Sequence, residues 1–184
     1  MIITIDELLN MNLKDEVFII ETDTVYGLGC LYNSEIGAER ISQIKNRPGD
    51  KHYSLLVSNM SQVEKLATDY TDSIDLLNKY WPGAITFIFK KSSNVPSFVS
   101  GDDTIGLRMP NNSKTLKALD KFGPMIMTSL NKSGEPSIIK YSDALKFEGC
   151  VDFIVKGNDL FDQPSTVYDI KSKKVLRQGG VRIK

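Results

Sequence analysis

Five short stretches of this sequence put hydroxyls, amides and cations at spacings suited to holding anions. Thr22, Asp23 and Thr24 follow the apolar run 17–20. They read either as turn and capping chemistry or as hydroxyls for a small polar ligand. Lys45 and Arg47 sit in the string KNRP, at the end of a segment with helical periodicity, and Lys51 follows closely. Cations there complement a helix macrodipole; equally, an Arg fork and a Lys point charge make a phosphate clamp. In the run TIGLR, a period of two puts Thr104, Gly106 and Arg108 on one strand face and Ile105, Leu107 and Met109 on the other. An arginine in mid-strand beside a glycine needs an anion, either a ligand or a buried acid. Ser129, Asn131, Ser133 and Gly134 follow another apolar run, as local turns or as donors to phosphate oxygens. Ser165, Thr166 and Arg177 are weaker signals of the same kind.

Other chemistries are excluded by what the chain lacks. His52 is the single histidine, and Cys30 and Cys150 are the only cysteines, in no metal or redox spacing. A histidine-rich metal site is ruled out, and a catalytic triad would need a second suitable partner for His52. Neither GxxxxGK[ST] nor GxGxxG occurs. An enzyme built from these residues works by positioning and electrostatics. Arginine stands only at 40, 47, 108, 177 and 182, among 23 basic residues. A lysine-rich chain keeps arginine mainly where a planar fork is hard to replace, and three of these five fall in the stretches above.

The elements that must position these residues follow from pattern. At 184 residues with 41% hydrophobic and 25% charged content, the chain suits a single domain over 1–184 with its own core. Net charge is zero, so no global field draws nucleic acid or an anionic membrane. No run approaches a membrane span, the N-terminus has no basic leader, and two unpaired cysteines suit a reducing cytoplasm.

Residues 3–12 read as a short helix capped near Thr4 or Asp6, and 17–20 as a strand buried on both faces. The stretch 21–30 reads as a polar, glycine-bearing exit from that strand. Ser34 caps a helix with Ala38, Ile41 and Ile44 inward, stopped by Pro48. Residues 52–57 form a strand, Ser61 and Glu64 a capping box opening a helix, and 73–81 a further helix. Strands follow at 84–90 and 104–109, a helix at 113–122 stopped by Gly123-Pro124, and a strand at 125–128. Ser142 caps a short helix to Phe147. Late strands cover 153–155, 166–170 and 175–177, the last two as a hairpin. Strands alternating with helices, with hairpins intruding, predict an α/β fold with a mixed sheet.

Eight strings occur in order along nearly the whole chain: TDTVYGLG (22–29), KNRP (45–48), SLLV (54–57), WPGAIT (81–86), TIGLRMP (104–110), TSLNKSG (128–134), STVYD (165–169) and LRQGG (176–180). Together they resemble the YrdC/Sua5/TsaC family, the threonylcarbamoyl-AMP synthases. The resemblance implies a YrdC/RibB-like fold: a twisted mixed parallel and antiparallel sheet flanked by helices around an open concave cavity. It implies that L-threonine, bicarbonate or CO2, and ATP give threonylcarbamoyl-adenylate and pyrophosphate. A tRNA-modifying threonylcarbamoyl transferase complex then uses the product to make N6-threonylcarbamoyladenosine at position 37 of ANN-decoding tRNAs.

The family's catalytic tetrad falls on Lys45, Arg47, Ser129 and Asn131, and its threonine site on Thr24, Arg108 and Ser165. Nucleotide contacts fall on Arg47, Lys51, Thr104, Ser129, Asn131 and Arg177. Mg2+ is expected with the ATP and no transition metal on the protein. The family usually has Pro where Glu21 stands, Pro-Leu where His52 and Tyr53 stand, and Ala where Leu130 stands. Glu21 is thereby expected to add an acid beside the cavity mouth. The chain ends soon after LRQGG and resembles the short, single-domain type. Two other readings fit parts of the pattern: an RNA-binding module with weak tRNA affinity, and a carbamoyl-adenylate-forming domain of the hydrogenase-maturation type.

Overall fold

The computed structural model describes residues 1–46 and 52–184. Among the described residues the strands and α-helices follow one another as β1 (Ile2–Ile3), α1 (Ile5–Leu9), β2 (Phe18–Glu21), β3 (Tyr26–Leu31), α2 (Glu35–Ile44), β4 (Ser54–Leu56), α3 (Met60–Leu66), α4 (Ile74–Tyr80), β5 (Ile85–Lys90), β6 (Thr104–Arg108), α5 (Ser113–Phe122), β7 (Met125–Ser129), α6 (Tyr141–Ala144), β8 (Phe153–Val155), β9 (Thr166–Asp169) and β10 (Lys174–Arg177). The strands form one sheet in the order β1-β8-β2-β3-β7-β4-β6-β5-β9-β10. β1–β8, β2–β8, β4–β6 and β5–β9 are parallel; the other neighbours are antiparallel. The mixed α/β sheet expected from the pattern is the sheet observed.

Both faces of the sheet are covered around β2. In and beside β2, Val17 and Ile19 join a core with Ala38 and Ile41 of α2, Val63 and Leu66 of α3 and Leu77 of α4. The alternate residues Phe18 and Ile20 join a second core with Leu8 of α1 and Ala118 and Leu119 of α5. A run that is apolar at every position is what burial on two faces requires.

The stretch 21–30 is not an exit loop. Its second half is β3, paired antiparallel to β2 with Glu21 opposite Tyr26. Only residues 22–25 form the turn. Gly27 and Gly29, which suggested a loop, sit in mid-strand. A Cβ on Gly27 would lie 2.5 Å from Met127 Sδ, and one on Gly29 2.6 Å from Met127 Cε. The glycines make room for a methionine from β7, the close approach that glycine in a strand marks.

Smaller corrections have local causes. The first residues pair with β8 as β1, so the helix expected over 3–12 shortens to α1, capped by Thr4 with Glu7 completing a capping box. Asn59, not Ser61, caps α3, its side chain accepting from Gln62 N. Lys140, with no side-chain cap, precedes α6 where Ser142 was expected. The helix α5 begins and ends where its pattern said, stopped by Gly123 at φ +86°. Pro48, the expected stop for α2, lies outside the described residues.

Candidate active site

The turn 22–25 and the end of β6 meet, although β3, β7 and β4 lie between β2 and β6. In a flat sheet those strands would be roughly 19 Å apart. The turn leads on toward β3 and the Arg108 side chain is long; together with the twist and curl of the sheet, these bring Arg108 to Asp23. Inside the curl lies a cavity of about 270 Å³. Thr22, Thr24, Arg108, Ser129, Ser165 and Arg177 all line it. Residues spread over 156 positions of sequence, 22 to 177, are thereby brought together.

The turn is tied by its own hydroxyls. Thr22 Oγ1 donates to Val25 O at 2.7 Å and accepts from Thr24 N at 3.2 Å, and the two threonine oxygens lie 3.1 Å apart. Arg108 is 6% exposed. It donates from Nε to Gly83 O (3.1 Å), from Nη1 to Thr24 Oγ1 (3.1 Å) and from Nη2 to the Asp23 carboxylate. Three of its five N–H groups are thus assigned, leaving two for a ligand. Burial draws its pKa below the ordinary arginine value; Asp23 pulls it back up and the charge of Arg177 lowers it further. Both readings of Arg108 hold together: it is buried in an ion pair and it faces the cavity.

On the β7 side, Lys45 follows α2 as its C-cap and is 5% exposed. Its ammonium donates to Ser129 O (2.5 Å), Asn131 O (3.1 Å) and Asn131 Oδ1 (2.7 Å). Ser129 Oγ also donates to Asn131 Oδ1, at 2.8 Å. The end of α2 and the loop after β7 are thus bound into one cluster of ammonium, hydroxyl and amide. Leu130, between Ser129 and Asn131, is fully buried and points into the core. On the far wall, Arg177 donates from Nε and Nη2 to Ser165 O at 3.1 and 2.8 Å, and from Nη2 to Ser165 Oγ at 3.1 Å. Burial lowers its pKa as well. Ser165 Oγ lies 2.9 Å from Thr86 Oγ1.

Of the residues singled out in sequence, Thr22, Thr24, Arg108, Ser129, Ser165 and Arg177 line this cavity; Lys45 and Asn131 do not line it but are bonded to Ser129, which does. Arg47 and Lys51 lie outside the described residues. Thr104 is exposed, bonds through its N–H and hydroxyl to Asp102 Oδ1 at 2.7 Å each, and does not line the cavity. Glu21 is not beside the mouth: it is 5% exposed and does not line the cavity. Its carboxylate accepts from Asn158 N at 2.7 Å and lies 3.2 Å from Lys114 Nζ, tying the start of α5 and the 157–158 loop to the end of β2.

Thr86, Ser54, His52 and Met127 also line the cavity; Thr86 and Ser54 fall in the strings WPGAIT and SLLV, but none of the four stands out in sequence as a site residue. Thr86 reads as an ordinary β-branched strand residue. His52 sits with Nδ1 2.7 Å from Ser100 Oγ and 3.7 Å from Asp102. Among the described residues no group of three or more His, Cys, Asp and Glu is placed to hold a metal ion, and no helix is long and apolar enough to cross a membrane.

A family model named for Sua5, YciO and YrdC, and described as telomere recombination, matches residues 10–179. A protein of Pseudoalteromonas translucida named threonylcarbamoyl-AMP synthase is 32% identical over 174 residues, covering 89% of this chain and 91% of that protein. The crystal structure of Pyrococcus abyssi Sua5 complexed with L-threonine superposes with a TM-score of 0.91 at 29% identity, covering 98% of this chain. This chain spans 58% of that Sua5. The crystal structure of Escherichia coli YciO matches with a TM-score of 0.88 at 28% identity, covering 98% of this chain and 91% of that one.

Proposed function

Because this chain belongs to the Sua5–YciO–YrdC family, we propose that it forms threonylcarbamoyl-adenylate and pyrophosphate from L-threonine, bicarbonate or CO2, and ATP. The observation that carries the reading is one cavity lined by two arginines and by hydroxyls: Arg108 with Thr24 on one side, Arg177 with Ser165 on another, and Ser129, backed by Lys45 and Asn131, in the same lining. Relatives named for this reaction and a relative solved with L-threonine support it.

The chemistry asks for little covalent work by the protein. The threonine amine adds to CO2 with loss of one proton, or condenses with bicarbonate with loss of water, and becomes a carbamate. A carbamate oxygen attacks the α-phosphorus of ATP; the bond to the β-phosphate oxygen breaks and pyrophosphate leaves. What is needed is to hold two anions at contact distance, the task of fixed cations and dipoles.

Arg108 takes the threonine carboxylate with its two remaining N–H groups, beside Thr24 and Ser165. Lys45, Ser129 and Asn131, with Arg47, hold the phosphates where charge develops. Lys51 and Arg177 are assigned to the rest of the nucleotide; Thr104, bonded to Asp102 outside the cavity, is left out of the assignment. Mg2+ is assigned to the ATP phosphates rather than to a protein cage, the usual way this ion enters a phosphoryl-transfer site. The product passes in the cytoplasm to a threonylcarbamoyl transferase that modifies adenosine 37 of ANN-decoding tRNAs.

The test is pyrophosphate release from Mg-ATP, with threonine and bicarbonate omitted in turn. Release that needs both is expected. Release that is indifferent to threonine, or that carbamoyl phosphate supports in place of both, overturns the reading.

A further inference from the structure

We infer that Thr22 is a positioning residue that fixes the polarity of the Thr24 hydroxyl, so that Thr24 accepts a hydrogen bond from the substrate amine. The inference rests on the synthase reading above and assigns which end of threonine Thr24 meets.

The argument is a count of protons and lone pairs. A threonine hydroxyl has one proton to give and two lone pairs to receive with. The Thr22 proton goes to Val25 O at 2.7 Å, since a carbonyl can only accept. The 3.1 Å contact between the two hydroxyls must then carry the proton of Thr24. Thr22 Oγ1 also accepts from Thr24 N at 3.2 Å. Its proton and both lone pairs are therefore spent, and Thr22 has no hydrogen bond left for a substrate although it borders the cavity.

Thr24 Oγ1 has given its proton to Thr22 and receives Arg108 Nη1 at 3.1 Å. One lone pair remains. Thr24 is 1% exposed and its hydroxyl cannot be turned by bulk water. It can receive an N–H or O–H and repels a carboxylate. Beside it, Arg108 offers donors that suit a carboxylate. In an α-amino acid the donor closest to the carboxylate is the amine, on the same carbon; the threonine hydroxyl is one carbon further. An amine whose N–H is received by Thr24 also has its rotation set, which aims its lone pair at the incoming carbon of CO2 or bicarbonate.

The experiment has two independent parts, with threonine-dependent pyrophosphate release by the wild type testing the synthase reading on its own. In the first, Thr22→Val, which keeps the shape and removes the hydroxyl, lowers kcat/KM for threonine by about tenfold with the KM for ATP unchanged, while Thr22→Ser stays close to wild type. In the second, wild type and Thr24→Val are titrated calorimetrically with L-threonine, (R)-3-hydroxybutyrate, which lacks the amine, and L-2-aminobutyrate, which lacks the hydroxyl. Thr24→Val shrinks the preference for threonine over 3-hydroxybutyrate by about tenfold and leaves the preference over 2-aminobutyrate unchanged. The second part needs no Thr22 variant and decides even if Thr22→Val fails to fold. A loss that falls on the 2-aminobutyrate comparison instead, full activity in Thr22→Val, or a Thr22→Ser as impaired as Thr22→Val overturns the assignment.

Discussion

Arg108 at the end of β6 is paired with Asp23 on the turn after β2, with three strands of the sheet between their elements. Both side chains are nearly buried, at 8% and 11% exposure. The pair closes the curl that makes the cavity and turns the remaining donors of Arg108 inward. A buried pair of this kind contributes little net stability over an apolar replacement, but removing one partner strands the other charge.

Asp23→Asn is therefore expected to cost roughly 3–5 kcal/mol of stability. The double variant Asp23→Asn/Arg108→Met recovers much of that loss while remaining unable to use threonine. Denaturant unfolding of the two single variants and the double variant checks this. Equal, additive losses would mean the two residues do not act as a pair.

Lys45 supplies three hydrogen bonds to the loop after β7 from the end of α2. Lys45→Met leaves Ser129 O and both Asn131 oxygens without that donor, and each lost charge-assisted bond is worth about 1.5–3 kcal/mol. Turnover is expected to fall at least tenfold. Lys45→Arg should not restore it, because a planar fork cannot converge three donors as a tetrahedral ammonium does. Steady-state pyrophosphate release in the two variants, with circular dichroism as a check on folding, gives the answer.

Gly27 and Met127 both line the cavity, and a Cβ on Gly27 would lie 2.5 Å from Met127 Sδ. The methionine side chain is flexible, so Gly27→Ala is expected to fold and to push the thioether into the cavity. The KM for a substrate then rises. The double variant Gly27→Ala/Met127→Ala, with the obstruction removed, brings it back toward the wild-type value. A Gly27→Ala enzyme with unchanged KM values would show that the thioether moves elsewhere.

Cys30 on β3 is fully buried against Gly37, and burial pushes its thiol pKa from 9.0 up to about 12. The native state thus keeps the proton that the unfolded chain gives up. The unfolded state binds fewer protons between these two values, so stability falls as pH rises from about 9 toward 12, by at most about 1.4 kcal/mol per pH unit. Below pH 9 the contribution is constant. Cys30→Ala removes this part of the alkaline slope, as urea unfolding across pH 8 to 11 would reveal. At pH 8 an aqueous thiol reagent should modify the exposed Cys150 and leave Cys30 untouched until the protein unfolds.

The sequence by itself carried the fold class and several of the residues that line the cavity. The doubly apolar run 17–20 announced a strand buried on two faces, and α5 was readable to the residue because periodicity and the Gly123-Pro124 stop agree on it; the structure adds Asn112 as its cap. The cluster at 129–131 and the run ending at Arg108 were visible because polar groups after buried strands are costly without a purpose. Those signals are local, set by side-chain period and backbone preference. β3 was hidden for the opposite reason. Its glycines answer to Met127, about 100 residues away in sequence, and no local rule reports a partner at that range. Glu21 was placed at the mouth by its neighbours in the chain, whereas the structure gives it to Asn158 and Lys114. Thr86 ends the string WPGAIT but has the look of an ordinary strand residue, and only the pairing of β5 with β9 brings it to Ser165. What tertiary structure alone decided is the curl of the sheet: it sets Arg108 against Asp23 and turns a row of separate polar strand ends into one cavity.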